Sequence, residues 1–563
     1  MRRKKRFIAF ALLTLLIISM NACGKQDIAP ADNPPAEETS GNYKDQIVQA
    51  LFVSPSGVFN PIYADSDYDI AVNNIVFSTL LALDSNKEII PSLAESYDIS
   101  EDSKTITFHL RQGVKWHDGT PFTSEDVAFT LNKMADPEYI GPLYGSVEMI
   151  VGAAEVKEGK SDTISGVEIV DAQTIRLTYK EVFAPALIRV GTEVGIIAKH
   201  IWEKLPVKDW KNSTDLMNQP IGTGPYKFEK YVPGQYVELK RNDEYFNGQP
   251  KTASFVFKIT NQDTAVAALT NGEIDIADIS NFKPSDIKEL ESSGISVVSF
   301  PGKSYQYMGF NMREKVFEPK ELRQAITYAI DRKTVIEQLL GGNGTIINAP
   351  MLPDTWQYPK DGINKYEFDP EKAKALLKQI GYEDRDGDGI VEDGRGQKLS
   401  LSLKYPLGNK IREQYATVIK KYLADIGIET ELLVMEFSTL LEETMSNHEF
   451  EMYLMGSSLS LDPDPIPYWS TDASSDEKGV AAWNIPAYRD AESDELMRTA
   501  LHEMEQSKRA ELYQRFSARF NENPPIVLLY APNIIKAYNP KLKNYKPVTF
   551  VDYYDIENWV IEN

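Results

Sequence analysis

Residues 106–127 read ITFHLRQGVKWHDGTPFTSEDV, a strand, a turn and the start of a helix in direct succession. Residues 105–110 (TITFHL) alternate polar and apolar side chains with period two, the signature of a strand with one buried face. His117-Asp118-Gly119-Thr120 sets an Asp early and a Gly where φ turns positive, which predicts a tight turn. Ser124 is then expected as the N-cap of a helix over 124–134, with Glu125 and Asp126 in the first turn facing the positive end of the helix dipole. No nucleophile motif accompanies His117 and Asp118, so the pair reads as turn residues and not as catalytic groups.

Outward from this stretch, strand and helix signals mix throughout. Residues 174–179 (TIRLTY) and 236–240 (YVELK) repeat the period-two pattern. Residues 321–340 predict one long amphipathic helix running into Gly341-Gly342. Further helices are expected over 370–380 and 413–426, each followed by Gly, and one or two at the surface over 490–519. Gly222-Thr223-Gly224-Pro225-Tyr226 lacks the Lys-Ser/Thr of a phosphate loop and leads into a strand, so a tight connection re-entering a sheet is expected. His448-Glu449 and His502-Glu503 lack a second His three residues on and are not zinc-protease helices; both His are expected to be solvated. No internal repeat of 20–50 residues occurs.

The N-terminus adds the compartment. Arg2, Arg3, Lys4, Lys5 and Arg6 precede an apolar run over 7–20, too short for a comfortable membrane span. Behind it stands Cys23, the only cysteine in 563 residues, flanked by Ala22 and Gly24. This arrangement resembles a bacterial lipobox, with Met20 where Leu is preferred, and implies lipidation at Cys23 after removal of signal peptide 1–22. Residues 23–41 are rich in Pro, Ala, Gly and acids and read as a lipidated flexible tether. The expected location is the outer face of the cell membrane. The chain carries −23; removing residues 1–22, with five positive and no negative side chains, leaves −28. This balance argues against nucleic acid as a partner, since phosphate binding needs a basic footprint. With Cys23 acylated, neither disulfides nor thiolate metal sites remain.

Residues 91–96 (PSLAES) with 106–127 resemble the family-5 extracellular solute-binding proteins, the peptide-binding and related receptors of ABC importers. Further landmarks follow in that family's order: Asn60-Pro61, 221–228 (IGTGPYKF), 264–275 (TAVAALTNGEID), Phe310-Asn311 with 322–332 (LRQAITYAIDR), and 460–465 (SLDPDP). The resemblance covers essentially the whole mature chain. It implies an α/β, two-lobed periplasmic-binding-protein-like fold with an extra subdomain inserted in lobe I. Lobe I would comprise 42–79, 220–298 and 533–563, the inserted subdomain 80–219, and lobe II 299–532. Strand-like crossovers are expected at 297–307 and 526–531. The implied activity is capture of oligopeptides in the inter-lobe cleft by a monomer, followed by delivery to permease and ATPase subunits on other chains. No cofactor and no enzymatic activity are expected.

By the same resemblance, Tyr68 and Asp69 in the loop 66–69, and Gly456, Ser457, Ser458 and Leu461 on the late strand, touch ligand. Trp356, Trp469, Trp483 and Asn484 lie near the cleft, with core packing the alternative for each aromatic. In related dipeptide and oligopeptide receptors an Asp three residues before the acidic residue of the acid-Pro turn neutralises the ligand amine. Here that position is Leu461, and Asp462 is displaced by one residue, which leans toward longer ligands. Asp384, Asp386 and Asp388 resemble the first half of an EF-hand loop, with Glu392 at position 9 but Arg395 at position 12. An acidic turn is the expected reading; those four acids are the residues that would hold calcium otherwise. Two alternatives remain. One is the same fold binding a metal chelate, haem or sugar oligomer; the other is an exported hydrolase, for which no G-x-S-x-G or H-E-x-x-H pattern is present.

Overall fold

The computed structural model describes residues 45–462 and 464–562. Cys23, the export segment and the tether lie outside the described residues. One large sheet runs in the order Glu429–Met435, Ser400–Pro406, Met452–Ser458, Ser304–Phe310, Ile526–Tyr538, Ile276–Asp278, Gln46–Leu51, Ser254–Ile259, Tyr236–Arg241, Tyr226–Val232. Its middle member, Ile526–Tyr538, is thirteen residues long and serves both halves. Residues 526–530 pair with Ser304–Phe310, and residues 533–538 pair with Ser296–Pro301. Between them the Gly302 N–H donates to the Pro532 carbonyl at 2.8 Å. The two strands that pass between halves therefore run side by side and bond to each other. Such a connection can bend at a bulge, here between Gln306 and Tyr307, without becoming a loose linker.

Each half carries apolar clusters on both faces of its strands. Ile47, Phe255 and Trp559 belong to one cluster of the first half, and Val48, Leu269 and Ile535 to the other. Phe310, Leu403 and Tyr415 mark one cluster of the second half; Tyr305, Trp469 and Phe516 mark the other. The fold is α/β and two-lobed, with sheets covered on both sides as buried parallel pairs require. A separate antiparallel sheet, Ala94–Ile99, Thr105–Leu110, Thr174–Thr178, Val167–Asp171, packs with the helix Ser124–Met134 around Phe108, Trp116 and Leu131. The stretch 106–127 builds the centre of this unit.

Local chemistry corrects three expectations. Thr123, not Ser124, caps the helix Ser124–Met134, in a capping box with Asp126; Ser124 is buried and donates to the Asp171 carbonyl instead. The long helix over 321–340 is two, Lys320–Ala329 and Arg332–Leu339. Ile330 turns extended, and the Asp331 side chain accepts from the Thr334 N–H, starting a second helix inside a continuous amphipathic pattern. His448 is buried rather than solvated, and burial with the nearby Arg313 guanidinium pushes its pKa down. His502 is exposed, 3.5 Å from Glu181. The region 490–519 forms two helices, Ala491–His502 and Gln506–Glu522.

The glycine-rich connection re-enters the sheet as expected, at Tyr226–Val232, and is clamped from two sides. The Gly224 N–H donates to the Val76 carbonyl at 2.9 Å, at the end of the helix Asp67–Val76. His117 takes the Gly222 N–H on Nδ1 at 3.2 Å and meets the Gly224 carbonyl through Nε2 at 3.0 Å. Burial holds the His117 pKa down to about 4. The ring is therefore neutral at pH 7, as one donor and one acceptor nitrogen require. Asp118 turns away to His200, 2.7 Å distant.

Candidate ligand-binding cleft

The strand Met452–Ser458 pairs along its whole length with Ser304–Phe310. On its other side only Met452 and Tyr453 meet a strand, at Leu403 and Lys404. Among the described residues, 454–458 thus present an edge without a strand partner. Such an edge offers unpaired N–H and C=O groups to an extended chain. Gly456 sits in it, and a Cβ there would lie 2.6 Å from Gln306 Nε2 and 2.8 Å from Arg412 Nη2. Glycine lets both side chains approach the strand backbone. Arg412, on the helix Lys410–Asp425, donates from Nε to Gln306 Oε1 at 2.9 Å. Among the described residues no carboxylate is ion-paired with it, and burial lowers its pKa. It is a free cation beside the open edge. In the sequence it reads as one more charge on a solvated helix face, so nothing local singles it out.

The other expected positions divide by burial. Ser66 caps the helix Asp67–Val76, and Tyr68 is half-buried behind it. Asp69 is fully buried, and its oxygens accept from Ser56 N, Ser56 Oγ, Gly57 N and Val58 N at 2.8–3.1 Å. All its lone pairs serve the chain itself. Leu461 is buried. Asp462 is buried too and forms a bidentate pair with Arg509, at 2.5 and 2.7 Å. The Arg509 guanidinium lies over the rings of Trp356, at 5.1 Å, and Tyr513. Trp469 packs edge-on against Phe520 in the core, and Asn484 bonds Ser470 and Tyr488. Ser457 is half-buried and Ser458 exposed at the edge. Trp483 is 63% exposed and leans on Tyr468, an aromatic surface left open to solvent.

A crevice of acids lies near the Asp464-Pro465 turn. Protein crowded around Glu193 pushes its carboxyl up, opposed by Arg189 and reinforced by Asp462, although the side chain still meets solvent. Burial also raises Glu148 and Asp464, again with Arg189 in opposition. Three carboxyls, each opposed by the Arg189 guanidinium, thus share one neighbourhood. Glu193 further borders a cavity of about 450 Å³ lined by Asn73, Phe77, Tyr245 and Tyr553. The sequence showed none of this, because Glu148, Arg189 and Glu193 belong to segments without a recognisable motif.

Two lobes joined by paired strands, one of them carrying an edge without a strand partner, are the architecture of a two-lobed solute-binding protein. The model of the bacterial extracellular solute-binding proteins, family 5 Middle, matches residues 88–479, and the chain belongs to this family. It is 32% identical over 567 residues to the oligopeptide-binding protein AppA of Bacillus subtilis, covering 99% of each chain. The solved structure of AppA from Bacillus subtilis in complex with a nonapeptide matches with a TM-score of 0.69 at 30% identity, over 92% of this chain and 99% of that one. NikZ from Campylobacter jejuni in complex with Ni(L-His) matches with a TM-score of 0.70 at 26% identity, over 92% and 99%.

Proposed function

We propose that this protein is a lipid-anchored extracytoplasmic receptor that captures oligopeptides between its lobes and delivers them to an ABC importer. The observation that carries the reading is the free edge at 454–458, five residues of strand with Arg412 beside it. An extended peptide would pair its backbone there, while its side chains enter pockets and its C-terminal carboxylate faces Arg412. The likeness to AppA, solved with a nonapeptide, supports a ligand of that kind. The proposed segmentation is lobe I at 42–79, 220–298 and 533–563, the inserted subdomain at 80–219, and lobe II at 299–532. The receptor acts as a monomer without a catalytic step.

Because Leu461 is apolar and Asp462 and Asp69 are internally paired, none of the three offers a fixed partner to a ligand amine. Acetylating a good peptide ligand is expected to cost under about 1 kcal/mol, against roughly 1.5–3 kcal/mol for a lost charged hydrogen bond. Peptides longer than about five residues should bind better than di- and tripeptides, since backbone pairing carries the energy. Calorimetry on a length series, free and acetylated, checks both. A hundredfold loss on acetylation, roughly 2.7 kcal/mol, would instead assign the amine to the Glu148, Glu193 and Asp464 crevice. Native mass spectrometry of protein from its own host should show co-purified peptides; a metal chelate mass would overturn the peptide reading.

The anchor is tested separately. Cys23→Ser is expected to release the protein from membranes with peptide binding unchanged, as read by fractionation and calorimetry. Among the described residues no helix is long and apolar enough to cross a membrane. Retention of the variant in the membrane fraction would sink the lipoprotein reading.

A further inference from the structure

The acidic loop between the helix Pro370–Gln379 and the strand Ser400–Pro406 closes in a way its sequence does not show. Arg395, at the position where an EF-hand closes with Glu, takes no part. Instead the chain turns back through isolated bridges, Glu383 to Glu392 and Glu392 to Lys398. This fold-back brings Glu392 under the three aspartates. One carboxylate oxygen from each of Asp384, Asp386, Asp388 and Glu392 lies within 4.8 Å of the others. Oxygens bound at 2.3–2.6 Å to one calcium ion stand at most roughly 5 Å apart, so the observed spread is that of a single coordination shell.

An exposed acidic turn alone would say little, but Glu392 is not exposed. It is 3% accessible. Its Oε2 accepts the Arg385 N–H at 2.8 Å, whereas its Oε1 is buried with no hydrogen-bond partner. A buried carboxylate oxygen without a partner is costly unless a cation or donor meets it. Arg385 does not supply one: its guanidinium bonds the carbonyls of Gly381, Glu392 and Asp393. The one ammonium at the cluster, Lys398, reaches Asp388 and Asp386, the latter at 3.3 Å, from an exposed side chain free to swing away. Four carboxylates against the Lys398 ammonium, with the Arg385 guanidinium turned to backbone carbonyls, leave the cluster net anionic.

We propose that Asp384, Asp386, Asp388 and Glu392 form a calcium site that closes this loop. Hard oxygen donors on a surface loop, with no nitrogen or sulfur ligand among them, suit calcium or magnesium, and four protein carboxylates in one cluster favour calcium, since magnesium keeps several waters and takes one or two carboxylates. The role is structural. The loop precedes Ser400, and Leu403 pairs with Met452, so it lies at the end of the sheet away from Gly456. The Val391 N–H donates to the Gly427 carbonyl and the Leu399 N–H to the Val391 carbonyl. The metal would thereby pin the loop to the turn between the helix Lys410–Asp425 and the strand Glu429–Met435.

The test uses the mature protein stripped with EDTA and titrated with calcium chloride, and needs no peptide. Calorimetry should show one calcium per chain with a sub-millimolar Kd, the range of extracellular modules or tighter. The melting temperature should rise by about 1–3 °C at saturating calcium, a small shift because a chain of this size has a large unfolding entropy, and less with magnesium. Asp386→Asn, at an exposed side chain, should weaken binding at least tenfold while the calcium-free melting temperature stays unchanged. Glu392→Gln keeps the bond from Arg385 N and should do the same to the affinity. Absence of heat and of any thermal shift up to about 5 mM calcium, far above the expected Kd, would overturn the site. Unchanged affinity in both variants would place any bound calcium elsewhere and overturn it equally.

Discussion

Asp462→Ala is expected to destabilise the protein by about 3–5 kcal/mol, the cost of stripping one partner from a buried ion pair. Asp462 and Arg509 have side chains only 7% and 5% exposed and are joined by two bonds. With the carboxylate gone, the guanidinium would keep its bond to the Ala500 carbonyl and its place over Trp356, but its charge would be buried without a counter-ion. The asymmetry is the diagnostic part. Replacing both partners, Asp462→Leu with Arg509→Met, should be markedly less damaging than Asp462→Ala, because no unpaired charge remains. Chemical denaturation of the two variants against wild type reads the difference. A single variant within about 1 kcal/mol of wild type, the range of an exposed pair, would show that Asp462 is free to serve the cleft.

Gly222→Ala should be comparably severe, about 3 kcal/mol or more, because the intruding methyl group meets backbone. A Cβ at Gly222 would lie 1.9 Å from the Val76 carbonyl oxygen and 2.7 Å from its carbon. The obstacle cannot rotate aside as a side chain could. To make room, the connection must lift off the helix Asp67–Val76, and His117 would lose its bond from the Gly222 N–H. Gly234→Ala is the control. Its Cβ would meet nothing within 4 Å, and only its φ of +75° opposes the change. It should cost about 1 kcal/mol. Thermal unfolding of the pair separates a packing role for the Gly222 region from mere turn flexibility. Equal, small shifts would refute the clamp.

Much of the scaffold was legible in the sequence because it is written in local rules. Period-two alternation located Thr105–Leu110 and Tyr236–Arg241, and glycine stops located the end of the helix Pro370–Gln379. Where two local rules competed, the reading failed. Thr123 and Ser124 are both good caps, and only the approach of Asp171 decided that Ser124 turns inward. Asp331 could continue an amphipathic helix or start a new one, and the pattern of apolar residues does not distinguish the two.

The amino-acid sequence by itself carried the resemblance to family 5, and through it the α/β two-lobed plan, together with the net charge of −23 and the apolar residue at position 461. Motifs and composition can be read without any partner in space. The tertiary structure alone decided which charges are free. Nothing in the local sequence around Asp69, Asp462, Glu193, Glu392 or Arg412 says which of them ends up with an internal partner. Folding occupies Asp69 with four internal donors and Asp462 with Arg509, while it leaves Arg412 beside an open edge. It also carries Glu392 beneath three aspartates that the spacing alone had left without a closing ligand. The reason is physical: a charge acquires its function from what lies within a few ångströms of it, and the path of the folded chain, not spacing alone, decides those neighbours, from the nearby aspartates under Glu392 to the distant Arg509 and Gln306.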